Sequence, residues 1–226
     1  MTTREIFHFD HVISSDISVI MSTKIFLNSR NDTANNLGYN TDSLAIPLQT
    51  HSTNVLFVNS PGEFENCDGL ITQNPNVVLS LQTADCIPIF LVDTVTGLRG
   101  LIHAGWRGVV GGIACNAIEL MVKHQSTVEN IQVVLGPSIC KNCFEVGNEV
   151  ADLFENECKK KGVKDKSYVN LHGQVKRQLL GLGINLSNIQ TSSICSYEND
   201  NCCSYRRDGD VADRMYSFMG VKNGFN

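Results

Sequence analysis

At 226 residues with a 42% apolar share, the chain is long enough for one sizeable core, and no shift in composition marks a linker, so a single domain over 1–226 is expected. Its 18 Lys and Arg against 23 Asp and Glu leave a net charge of -5, which excludes a broad electrostatic grip on nucleic acid or an anionic membrane. Small molecules are the expected partners, and the longest apolar run, around 87–92, is far short of the roughly 20 residues of a membrane span.

The start, Met1-Thr-Thr-Arg-Glu-Ile-Phe-His-Phe-Asp10, lacks the basic segment and apolar run of a secretory signal, so a cytoplasmic location is expected. Nine cysteines, an odd set without an export signal, read as reduced thiols, most of them small buried hydrophobes. The first predicted strand is 54–58, followed by two buried strands at 77–81 and 87–92 with Thr83-Ala-Asp-Cys86 between them. A strand over 98–103 runs into Ala104-Gly-Trp-Arg-Gly108 and then a helix over about 111–123, where Ile113, Ala117, Leu120 and Met121 recur at helical spacing. Another strand, 131–135, stops at Gly136-Pro137. Helices over 146–160 and 172–182 and a last strand over 189–195 complete the series, which reads as an α/β class fold, a layered α+β sandwich with a mixed central sheet.

Residues able to carry chemistry concentrate between His51 and Arg107. A thiolate with two imidazoles, Cys86 with His51 and His103, suits zinc and leaves a fourth position open for water or substrate. Spacing alone does not establish that set, because no local signature such as His-x-x-x-His is present. A Cys86 and histidine pair acting without metal, as nucleophile and base, is a second way to use the same residues. Arg30, Arg107 and Arg206 are candidates for holding phosphate, since guanidinium offers paired donors that match its oxygens. Arg107 also stands before Gly108-Val-Val-Gly-Gly112, read as entering a helix whose N–H groups can bind phosphate or as a tight packing turn. Asp85 is a candidate acid or base, a partner orienting a ligand histidine, or the cap of a turn.

The remaining residues read as structural. His8, His11, His124 and His172 have no motif around them, and Trp106 is read as packing beneath the site rather than as a platform for a base. Cys140-Lys-Asn-Cys143 is a lone C-x-x-C with no second pair at matching spacing and is read as incidental, while Cys202 and Cys203 read as packing residues.

Gln49-Thr-His-Ser52, Asp68-Gly-Leu-Ile-Thr72, Thr83-Ala-Asp-Cys-Ile-Pro88, Ile102-His-Ala-Gly-Trp-Arg-Gly108, Leu135-Gly-Pro-Ser-Ile139 and Phe144-Glu-Val-Gly147 follow one another in that order, with Cys203-Ser-Tyr-Arg-Arg207 and Arg214 beyond them. Together they resemble the purine nucleoside phosphorylase family of the multicopper polyphenol oxidoreductase, or laccase-domain, type. The resemblance covers roughly 30–214, and Arg30 matches the arginine of an Asn-Arg pair in that family. It implies an α/β layered fold and zinc held by His51, Cys86 and His103. The activity it implies is phosphorolysis of adenosine, inosine, guanosine and methylthioadenosine, with adenosine deamination beside it. The laccase label implies copper and phenol oxidation instead. Several coppers need many histidines, and of six in this chain only two lie in the strong strings, so zinc is expected and copper is the alternative.

Overall fold

The apolar runs foreseen at 77–81 and 87–92 form strands in two different sheets, because residues apolar at nearly every position need cover on both faces. The computed structural model describes residues 6–9, 17–24 and 29–221. One six-stranded sheet contains β1 (Ile6–His8), β2 (Ile17–Ser22), β3 (Leu44–Pro47), β5 (Gly62–Phe64), β7 (Val78–Thr83) and β15 (Met215–Val221), ordered β1-β2-β15-β7-β3-β5. A second six-stranded sheet contains β4 (Val55–Phe57), β6 (Gly69–Thr72), β8 (Ile87–Asp93), β9 (Arg99–Ala104), β10 (Ile131–Leu135) and β14 (Ile189–Thr191), ordered β14-β10-β8-β9-β6-β4. Both are mixed: β3 runs parallel to β5 and β7, and β4 runs parallel to β6, while the central β8–β9 and β7–β15 pairs are antiparallel. The expected class, mixed α/β, is the observed one, with two mixed sheets in place of one central sheet.

Strand β8 shows how the layers arise. Phe90 and Val92 face a cluster with Val19, Leu79 and Leu81 of the first sheet, whereas Ile87, Ile89 and Leu91 face the opposite way. That second face is covered by two helices, α3 (Ile113–Lys123) and α5 (Leu171–Gly181), preceded by the short α2 (Trp106–Val110) and α4 (Asn148–Ala151). Ile113, Ala117 and Met121 on α3, and Leu171, Val175 and Leu179 on α5, recur every four residues and are buried. On the outer face of the first sheet, α1 (Arg30–Asn36) contributes Ala34 to a cluster with Ile20, Leu44 and Phe218. The layers therefore run helix, sheet, sheet, helices. No helix among the described residues is long and apolar enough to cross a membrane.

The helix expected over about 111–123 forms as α3 over 113–123, and Gly112, at φ 80°, a left-handed conformation, separates it from the short α2 that precedes it. Two expectations are corrected. The helix over 146–160 is replaced by β11 (Glu145–Gly147), α4, and β12 (Lys159–Lys161), with both strands paired antiparallel to β13 (Lys166–Val169). Val146, Val150 and Phe154 have helical spacing, but β13 pairs with both ends of the segment and satisfies its backbone groups there. The last strand stops at Thr191, and Cys195 makes one isolated bridge to Ser138.

Of the histidines without motifs, His8 is exposed on an edge strand and His124 stacks on Phe57 at 3.8 Å between ring centroids, whereas His11 lies outside the described residues. His172, on α5, places Nε2 3.0 Å from Ser138 Oγ and donates to the Gly136 carbonyl at 3.2 Å. Burial lowers its pKa to about 4, with the Gly136 bond acting the other way. Its unfolded value is near 6.5, so the unfolded chain binds the proton first: the neutral imidazole contributes full stability above pH 6.5 and loses it as pH falls toward 4. Up to roughly 3 kcal/mol is lost over that window. Denaturant titrations at pH 7.5 and 5 should show a steeper loss in the parent than in His172→Asn; parallel losses would remove His172 as the cause.

Candidate metal centre and cavity

The site begins with one buried carboxylate. Asp68 precedes β6 and is completely buried, and it accepts backbone N–H groups from three consecutive residues: Thr50 (3.1 Å), His51 (2.9 Å) and Ser52 (2.6 Å). Ser52 Oγ adds a bond of 2.7 Å. These bonds wrap the loop around the carboxylate and hold His51 at φ 58°, an uncommon conformation for a non-glycine residue. Asp68 Oδ1 also accepts from His103 Nδ1 at 2.7 Å, and His103 lies near the end of β9. Because Nδ1 carries the hydrogen of that bond, Nε2 of a neutral His103 is left as a lone-pair donor. Burial opposes ionisation of Asp68, but the bonds from His103 and Ser52 outweigh it and hold its pKa well below the usual carboxylate range.

Cys86 arrives from the turn between β7 and β8, where Asp85 at φ 83° reverses the chain. Its Sγ lies 4.0 Å from His51 Nε2, and the ligand atoms of His51, Cys86 and His103 all lie within 4.8 Å of one another. The two imidazoles meet edge to face at 4.8 Å. Burial would push the Cys86 thiol up, yet hydrogen bonding to His103 and its charge, followed by His51, bring it down to about 7. Burial would likewise lower His103, but Asp68 and then Cys86 raise it to about 9. Thiolate and imidazolium thus support each other, and a cation placed between the three side chains would replace the proton in that role. Gly105 leaves room for them: a Cβ there would stand 2.8 Å from His51 Cδ2 and 3.1 Å from Cys86 Sγ.

The three side chains open into a cavity of about 660 Å³. Its walls include Trp106, Arg107, Phe144, Arg206 and Arg214. Arg107 stacks on Trp106, with its guanidinium carbon 4.2 Å from the ring centroid, and makes no ion pair among the described residues. Arg206, on α6 (Tyr205–Asp208), lies over Phe144 at 5.4 Å. Trp106 both lines the cavity and packs against the core.

Other expectations fall elsewhere. Arg30 is not in the cavity wall; its Nη2 donates to the Gln82 side chain at 3.4 Å, and Gln82 stands at the wall. Arg107 lies inside α2 rather than before a helix, and the glycines 111 and 112 sit between α2 and α3 away from the cavity, so a phosphate cradle at that glycine run does not form. The carboxylate that orients His103 is Asp68, not Asp85. The Asp85 oxygens are occupied by Ser196 Oγ (2.6 Å) and the Arg206 backbone N–H (2.7 Å), which ties the turn to the C-terminal segment. Sequence reasoning gave Asp68, Gln49, Gln82 and Arg214 no role, although Asp68 opens one of the family-like strings. Cys202 and Cys203 are buried beside Met21 and Met215, the packing positions expected. Cys140 and Cys143 are not isolated, for Cys195 and Glu198 come within 4.8 Å of them.

Fold and site together define a layered, mixed α/β protein with a Cys-His₂ group able to hold a metal ion at the floor of an arginine-lined cavity. The chain belongs to the family described as multi-copper polyphenol oxidoreductase laccase, which it matches over residues 22–222. It is 34% identical over 209 residues to a protein named adenosine deaminase RL5 from an unknown prokaryotic organism, covering 84% of this chain and 80% of that one. It is 36% identical over 188 residues to a purine nucleoside phosphorylase of Deinococcus radiodurans, covering 82% and 73%. Among solved structures, YlmD from Geobacillus stearothermophilus superposes with a TM-score of 0.85 at 26% identity, covering 92% of each chain.

Proposed function

We propose that the protein is a zinc-dependent enzyme of purine nucleosides, cleaving adenosine, inosine, guanosine and methylthioadenosine with phosphate and also deaminating adenosine. The observation that carries this reading is the convergence of His51, Cys86 and His103 at the floor of a cavity whose wall holds three arginines. The donor set fits zinc: two imidazoles and one thiolate, one imidazole backed by a buried carboxylate, with room for a fourth ligand. When bound there, zinc supplies Lewis acidity for polarising water or a substrate oxygen at neutral pH. Relatives named adenosine deaminase and purine nucleoside phosphorylase support the substrate class. Copper oxidation of phenols fits less well, since His51, Cys86 and His103 are the only histidine-containing ligand group among the described residues.

The chain's own residues divide the work. Arg107, without a carboxylate partner, and Arg206 offer paired donors to phosphate, while Arg30 acts only through Gln82. Trp106 and Phe144 give apolar faces against which a purine can lie. Asp85 serves as a positioning residue holding Arg206 at the wall, and exchanges a proton with substrate only if Ser196 releases it. Incubation with adenosine, with and without phosphate, tests the reading: adenine and ribose-1-phosphate should form only with phosphate, and inosine in either case. Formation of none of these products from zinc-loaded protein would overturn it.

Arg107→Lys keeps the charge but loses the planar pair of donors. The expected result is a rise of about tenfold in the KM for phosphate with metal content unchanged, measured by steady-state kinetics alongside metal analysis. An unchanged phosphate KM would make Arg107 a partner of Trp106 only.

The lowered thiol of Cys86 also favours a second reading, a metal-free Cys-His hydrolase. Chelation separates the two, since only the zinc enzyme loses turnover when its metal is removed.

A further inference from the structure

Outside the cavity, a second set of metal-type donors converges. Cys140 and Cys143 flank a tight turn after β10, in which the N–H groups of Cys143 and Phe144 both donate to the Cys140 carbonyl at 3.0 Å. The segment after β14 lies alongside, pinned by the bridge between Ser138 and Cys195 and by the Ser196 N–H donating to the Ser138 carbonyl. This places Glu198 Oε1 3.3 Å from Cys143 Sγ and Glu198 Oε2 4.0 Å from Cys140 Sγ. The backbone N–H of Cys140 donates to Cys195 Sγ at 3.3 Å, a bond that favours a thiolate at that position.

We propose that Cys140, Cys143, Cys195 and Glu198 hold a second, structural zinc ion that clips the turn after β10 to the segment after β14. The ligand atoms all lie within 4.8 Å of one another. A tetrahedron with Zn–S bonds of about 2.3 Å has edges of about 3.8 Å, so small side-chain rotations close the set onto one ion. Four protein ligands fill the coordination sphere, the pattern of a structural rather than a catalytic site. The nearest alternative use of three close thiols, a disulfide, would pair two of them and leave the third with the carboxylate; all nine cysteines are free here. Binding releases the thiol protons to solvent, so the ion takes the place of protons the thiols otherwise keep.

The clip bears on the cavity through its neighbours. Ile139 and Phe144 stand on either side of the Cys140–Cys143 turn and line the cavity, and Arg206 donates to the Cys143 carbonyl at 3.4 Å while lying over Phe144. Cys195 is next to Ser196, which holds Asp85 beside Cys86. An ion at the clip therefore stiffens this part of the wall without touching substrate.

The experiment is metal analysis of the full chain purified under reducing conditions with zinc, in parent, Cys86→Ala and Cys140→Ser/Cys143→Ser forms. About two zinc ions per chain are expected in the parent and about one in each variant. Loss of the clip ion should lower Tm by about 10 °C, whereas loss of the cavity ion should shift it less. Should the double variant fold poorly, cobalt substitution of the parent and of Cys86→Ala keeps the test intact. Most of the thiolate-to-cobalt absorption should survive in Cys86→Ala, because three of the four thiolates proposed as ligands belong to the clip. One zinc in the parent with none in Cys86→Ala, or a Cys140–Cys143 disulfide in parent protein handled with zinc, would overturn the proposal. Because activity is not the readout, failure here is distinguishable from failure of the nucleoside reading.

Discussion

Asp68→Asn is expected to lower stability by about 3–5 kcal/mol and to weaken zinc binding at the cavity floor by at least 10–100-fold. The substitution changes the size of the side chain hardly at all, so the effect isolates charge and hydrogen bonding. In the parent both carboxylate oxygens accept: Oδ1 from His51 N and His103 Nδ1, Oδ2 from the N–H groups of Thr50 and Ser52 and from Ser52 Oγ. An amide has one accepting oxygen. Turned toward Thr50 and Ser52, it sets its NH₂ against the N–H of His51 and the Nδ1 of His103. His103 then avoids a clash of donors by moving its hydrogen to Nε2, the nitrogen needed for the metal. Turned the other way, the amide leaves the loop donors buried without an acceptor, and the left-handed conformation of His51 loses its support. Denaturant titration and zinc competition against a chromophoric chelator read both consequences. Parent-like zinc affinity in a folded Asp68→Asn would show that the carboxylate does not govern the ligand histidine.

The importance of Asp68 also marks where sequence reading stops. The middle of the fold was legible because the runs 77–81 and 87–92, which fall largely in β7 and β8, are apolar at nearly every position, and such runs admit little besides strands buried on both faces. With Thr83-Ala-Asp-Cys86 between two such runs, the place of Cys86 at a strand end followed. His51 was harder, since it lies in a loop whose conformation depends on a carboxylate 17 residues away, and nothing local announces that partnership. For the same reason Asp85 attracted the orienting role: it adjoins Cys86 in sequence, whereas Asp68 adjoins His103 only in space, through the β6–β9 pairing. The helix expected over 146–160 failed on another long-range fact, the presence of β13 as a partner for both ends of that segment. Cys140-x-x-Cys143 looked incidental because its companions, Cys195 and Glu198, lie more than 50 residues further on and are not a second C-x-x-C.

Cys86→Ala is expected to remove zinc from the cavity floor and to reduce turnover of purine nucleosides by about a thousandfold or more. The thiolate is the one anionic donor of the triad and, at about 7, it is substantially ionised at neutral pH without metal. Removing it leaves two imidazoles, one of them on an exposed loop, and takes away the negative charge that offsets the cation. Cys86→Ser gives a sharper control, because the hydroxyl is nearly the same size but stays protonated and is a poor partner for a borderline-soft ion. Size alone would let serine substitute; ligation would not. The fold should tolerate both changes, since Cys86 is only half-buried and the turn is held by Asp85 through Ser196 and Arg206. Metal analysis should therefore show the loss of one equivalent with little change in Tm. In the parent, chelation should abolish turnover and added zinc should restore it, whereas zinc should restore nothing in Cys86→Ala. Full turnover by chelated parent protein that is then inactivated by alkylation at Cys86 would place the chemistry on the thiol itself and reject the metal reading.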